Sequence, residues 1–120
     1  MQEISIYAKY LPHIDVADGI TRVVNNKKLY LSLLGRFKGR EMTNALLDAI
    51  EEGDHTKVSD KAHALRGTAG NLGFPALRDL TSEIEFLAKK GEDSKSLAQP
   101  LSDLMDTLES TIKEVITKES

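Results

Sequence analysis

His63 and Arg66 stand three residues apart, and Gly67 and Gly70 follow them directly. With about 100° of rotation per helical residue, His63, Gly67 and Gly70 share one face of a helix. Val58, Ala62, Leu65, Ala69 and Leu72 gather on a separate apolar stripe. An exposed neutral imidazole is a competent nucleophile. A phosphoryl group taken up on its nitrogen stays labile, because imidazole is a good leaving group. A guanidinium at Arg66 lies beside it on the same side of the helix, where it can offset phosphoryl charge and hold the oxygens. Each internal glycine costs a helix roughly 0.5–1 kcal/mol relative to alanine. Two such costs beside one imidazole imply that something bulky comes close to His63, where a side chain at Gly67 or Gly70 would obstruct it. The chain has no phosphate-cradling glycine loop and no carboxylate cluster near His63 in sequence to hold magnesium. Phosphoryl transfer rests on positioning and electrostatics with a metal usually shared between donor and acceptor. A partner would therefore supply both the metal and the nucleotide.

Each residue has a plainer reading as well. His63 can be a surface histidine without a task, and Arg66 a solvated charge. Gly67 and Gly70 can serve close helix packing, and Gly73 is most simply a helix C-cap. His13 and His55 read as ordinary surface residues. The eight-residue separation of His55 and His63 is a poor ligand spacing, so no metal site is expected. Phe37 and Phe74 read as core, with Phe74 alternatively bordering an apolar rim around His63. An enzyme using His63 as general base lacks a partnered nucleophile or carboxylate within the motif.

Helices must position these groups, since helical periodicity dominates and no alternating strand pattern occurs. Residues 4–10 suggest a short helix ended by Pro12. Asp15 can cap a second one running to about Val24, with Val16, Ile20, Val23 and Val24 inward. Asn25 and Asn26 break it. A long amphipathic segment spans residues 27–52, with Gly35 and Gly39 allowing a kink and Gly53 a stop. Asp54 suits the N-cap of the histidine helix, ending near residues 71–73. Pro75 fits the first turn of the next helix, with Leu77, Leu80, Ile84 and Leu87 inward and Lys89, Lys90 and Gly91 at its end. Pro100 falls in the first turn of the last helix or kinks it. That helix carries Leu97, Leu101, Leu104, Leu108, Ile112 and Val115. Short connections between antiparallel helices give an all-α, up-and-down four-helix bundle with short N-terminal accessory helices. Residues 1–12 read as a linker or short segment and residues 13–120 as the bundle domain.

The 120 residues suit one domain with a modest core. A net charge of −3 argues against nucleic acid as the main partner. No apolar run approaches the ~20 residues that span a membrane, and the start does not resemble a signal peptide. The absence of cysteine excludes disulfides and thiol chemistry and is compatible with the cytosol.

The run from His63 to Gly73, with its histidine, cation and glycines at fixed spacing, resembles the histidine phosphotransfer (HPt) domain of multistep phosphorelays. That family's core is His-x-hydrophobic-(Lys/Arg)-Gly followed by small residues and further glycines, and Arg66 stands where lysine is commoner. Ile14, Asp15, Gly19, Asn26, Leu29, Tyr30, Leu33, Leu34 and Phe37 also look like the family's first helices, and Leu77, Leu80, Ile84 and Glu85 like its next. The resemblance implies a four-helix bundle in which His63 accepts a phosphoryl group from a receiver-domain aspartate and passes it to another. Mg²⁺ would belong to the receiver, and this chain would carry no cofactor. Glu85 would bond the imidazole nitrogen that does not carry phosphate. The partners implied are receiver domains of a sensor kinase and a response regulator. The chain is expected to be monomeric and cytoplasmic, without autokinase activity, and the ill-defined first dozen residues suggest a module of a hybrid sensor histidine kinase. The alternative is a helical interaction domain without phosphoryl chemistry.

Overall fold

Three short polar side chains start helices in this chain by accepting from backbone N–H groups that have no intrahelical partner. Asp15 accepts from the Asp18 amide at 3.0 Å, Asn26 from Leu29 at 3.0 Å and Asp54 from Lys57 at 3.1 Å. The computed structural model describes residues 6–120 and places six α-helices among them: α1 (Val16–Arg22), α2 (Lys27–Gly35), α3 (Gly39–Glu52), α4 (His55–Leu72), α5 (Pro75–Lys89) and α6 (Ala98–Glu119). Short 3₁₀ turns cover Ala8–Tyr10 and Lys95–Leu97. Gly53 and Gly73 adopt left-handed φ values of 72° and 77°, which L-residues disfavour. These two glycines end α3 and α4, and Pro75 opens α5 at once.

Helices α3 to α6 form the antiparallel bundle, since α4 packs on α3 and α5 while α6 packs on both of those. The bundle is all-α, and no strand occurs among the described residues. Its core is drawn from Leu46, Ile50, Leu65, Leu77, Ile84, Leu101, Met105 and Leu108, all buried. Helices α1 and α2 pack against the C-terminal end of α4 and satisfy its last carbonyls. Tyr30 Oη donates to Leu72 O at 2.6 Å, and the Asp15 amide donates to Gly73 O at 2.7 Å. Gly19 lies so close under the Tyr30 ring that an added Cβ would collide with it.

Several expectations need correction. The segment 27–52 is two helices rather than one kinked helix. Gly35 ends the first and Gly39 opens the second, and the Phe37 ring folds over Gly39 where any Cβ would strike it. Val24 faces solvent rather than the core, because α1 ends at Arg22 and Val24 and Asn25 both turn through φ 59°. Phe74 is fully buried against Phe37, with ring centroids 5.1 Å apart, so it borders no exposed rim. The helix expected over residues 4–10 lies partly outside the described residues. Within them Ile6 is helical and a 3₁₀ turn covers Ala8–Tyr10, and Tyr10 is buried with its Oη donating to Glu119 at 2.7 Å. Pro100 lies in the first turn of α6.

Candidate functional site

Helix α4 divides its residues by face. Val58, Ala62, Leu65 and Ala69 are buried and hold the helix to the bundle. His63 lies off that stripe and leaves 64% of its side chain exposed. Gly67 is open, with no atom within 4 Å of where a Cβ would stand. At Gly70 a Cβ would meet only the Arg78 side chain, at 3.9 Å. The helix-packing explanation for these glycines therefore has no neighbouring backbone to act on.

Glu85 comes from the middle of α5, 22 residues further along the chain, and its side chain is only 7% exposed. Its Oε2 lies 3.0 Å from His63 Nδ1, and its Oε1 accepts from Arg66 Nε at 2.8 Å. Lys89, one turn further along α5, places Nζ 3.0 Å from the same Oε2. The structure thus brings His63, Arg66 and Glu85 together. It adds Lys89, which the sequence suggests only as a cation at a helix end. The signal for it was the four-residue spacing from Glu85, which sets the two side chains on one face.

Arg66 Nη2 lies 2.9 Å from His63 Nδ1. A ring nitrogen cannot donate and accept at once, so Nδ1 either donates to Glu85 or accepts from Arg66, according to the tautomer. When Nδ1 carries the proton, Glu85 takes it and the Nε2 lone pair is free. Nε2 has no hydrogen-bond partner among the described residues. Burial works to raise the Glu85 carboxyl. The hydrogen bonds from Lys89, Arg66 and His63, with the Arg66 charge, outweigh it and bring the carboxyl down to about 2. Glu85 is therefore a carboxylate throughout the neutral range, an acceptor at both oxygens.

His13 and His55 stand apart from this cluster. Among the described residues, no three His, Cys, Asp or Glu side chains are grouped to hold a metal ion. No described helix is long and apolar enough to cross a membrane.

The site is thus a histidine, a cation and two bare glycine positions on one exposed helix face of an antiparallel helical bundle. The Hpt domain family model matches residues 38–116, more than half of the chain, and the protein belongs to that family. The match opens at the start of α3, so α1 and α2 lie before it. No curated protein and no solved structure gave a significant match.

Proposed function

We infer that this chain, as a member of the Hpt family, is a phosphocarrier of phosphorelays. We propose that His63 is the residue that carries the phosphoryl group, between aspartates of two receiver domains. The observation that supports this most directly is the pairing of His63 Nδ1 with a buried carboxylate at 3.0 Å, on a side chain that is 64% exposed and whose Nε2 has no hydrogen-bond partner among the described residues.

In the forward step the Nε2 lone pair attacks phosphorus. The bond from phosphorus to the receiver's aspartate oxygen breaks, and its electron pair stays on that carboxylate. The proton remains on Nδ1 throughout, hydrogen-bonded to Glu85, whose negative charge compensates the phospho-imidazolium. Passing the group on to a second aspartate is the reverse of the same step. Arg66 Nη2 leaves Nδ1 when that nitrogen is protonated, and the guanidinium is then free to meet phosphoryl oxygens. Gly67 and Gly70 give the incoming receiver room on the His63 face. A receiver would supply Mg²⁺, whose charge would offset that of the phosphoryl group. The partners are receivers of a sensor kinase and of a response regulator, engaged by a monomer of this chain in the cytoplasm.

The test is labelling by a phosphorylated receiver. His63→Gln is expected to take up no phosphoryl while keeping the wild-type helical circular dichroism. The wild-type label should be acid-labile and base-stable, which a helical interaction domain without phosphoryl chemistry would not produce. Undiminished labelling of His63→Gln removes the assignment.

A further inference from the structure

A Glu and Lys four residues apart on an exposed helix face form only a weak, water-screened pair. The pair at Glu85 and Lys89 is of another kind. Its carboxylate is nearly buried, and the oxygen that accepts from Lys89 Nζ is the one that faces His63 Nδ1, both at 3.0 Å. The two nitrogens are therefore no more than about 6 Å apart, with one carboxylate oxygen between them. An acceptor shared between two donors gives less to each. The ammonium also disfavours positive charge on the imidazole directly.

Resting on His63 as the phosphoryl carrier, we propose that Lys89 is a positioning residue that sets how readily the phosphoryl group leaves His63, by competing for the Glu85 oxygen that holds the Nδ1 proton. The chemistry gives the direction. With Nδ1 protonated, breaking the bond from phosphorus to Nε2 returns the electron pair to Nε2 and leaves a neutral imidazole. With Nδ1 unprotonated, the same cleavage would leave an imidazolate, a far poorer leaving group. Reactivity toward an aspartate carboxylate or water therefore follows the share of phosphohistidine protonated at Nδ1. Lys89 lowers that share and lengthens the life of the stored group.

The charged groups facing the pair are His63 and Arg66 from α4 and Lys89 from α5. Among the described residues, α3 and α6 place no ion-pair partner on Glu85 or His63. Arg66 acts in the same direction as Lys89 and is kept constant in the test. Lys89 is 65% exposed, so its replacement leaves the core untouched.

The experiment labels the wild type, Lys89→Met and Lys89→Arg with phosphoramidate. The ³¹P resonance of the phosphohistidine is then followed against pH. Loss of a unit charge at this distance, in a largely water-screened setting, is expected to move the titration midpoint of Lys89→Met upward by about half to one pH unit. The label should also decay faster than wild type on the alkaline side. Lys89→Arg should stay close to wild type, which a merely structural role would not require. An unmoved or lowered midpoint in Lys89→Met, with normal labelling, overturns the role of Lys89 alone. Failure of the wild type to label at His63 overturns the phosphocarrier site and this role together.

Discussion

Replacing Gly67 separates the stability of α4 from its proposed use as a docking face. Gly67 lies inside α4, and a methyl group added there would meet no atom within 4 Å. Alanine removes the entropic cost of glycine without a new contact, which is worth about 0.5–1 kcal/mol in favour of the fold. For a chain of this length that raises the melting temperature by about 2–4 °C. Leucine is nearly as good a helix former, so Gly67→Leu should also melt at or above wild type. Transfer should move the other way. A leucine side chain beside His63 meets any protein surface that approaches the imidazole, and forced overpacking of that kind costs about 1–3 kcal/mol. Transfer from a phosphorylated receiver should then slow about tenfold or more in Gly67→Leu. Labelling by phosphoramidate, which is small, should continue. The assays are thermal melting by circular dichroism and the rate of label transfer from receiver and from small donor. A lowered melting temperature in Gly67→Ala, or receiver transfer at the wild-type rate in Gly67→Leu, would refute this account of the glycine.

Two further predictions concern the neighbours of the site. Gly73→Ala forces a methyl into a left-handed residue at φ 77° and within 2.6 Å of the Asp15 carbonyl oxygen, so urea unfolding should show a loss of about 2–4 kcal/mol. Because folding depresses the Glu85 carboxyl to about 2 from an ordinary 4.5, its contribution to stability is complete above pH 4.5 and lost as pH falls through 2. Urea-unfolding free energies of wild type and Glu85→Gln should therefore converge as pH falls across that window, and a gap that persists to its acid end would contradict the pairing.

Much of the site was legible because it lies on one helix. The spacing of His63, Arg66, Gly67 and Gly70 fixes their common face once α4 is recognised as helical, and Asp54 and Gly73 mark its ends. Glu85 entered only through the family resemblance, since nothing local ties a residue on α5 to an imidazole 22 positions earlier. Lys89 stayed out of view for a related reason. Its distance from Glu85 is plain in the sequence, but that carboxylate gains a second claimant only when α4 and α5 are packed together. In the fold, the caps and glycine stops read well, while Gly35 and Gly39 did not. Whether two glycines bend a helix or end it depends on what lies over them, and here the Phe37 ring lies over Gly39, packed in turn on Phe74. In α6 the leucine repeat points to Leu104, yet Met105 is the residue fully buried. A helix with neighbours on more than one side, here α2, α3 and α5, buries a wider arc than one repeat reveals.

The arrangement of α4 explains why so sparse a face can be kept there. Its buried stripe of Val58, Ala62, Leu65 and Ala69 carries the packing, and α1 and α2 secure its C-terminal carbonyls through Asp15 and Tyr30. Stability is thus drawn from one face and one end, leaving His63, Gly67 and Gly70 free of structural duties. Two of the four stripe residues are alanines, and small side chains let helices approach closely. Close approach is what the proposed chemistry needs, because Glu85 reaches His63 and Arg66 only across the gap between α5 and α4. The hydrogen bond that fixes the imidazole therefore reports the spacing of two helices, and His63 and Arg66, two of the three donors that hold the carboxyl low, stay in place only while that spacing is kept.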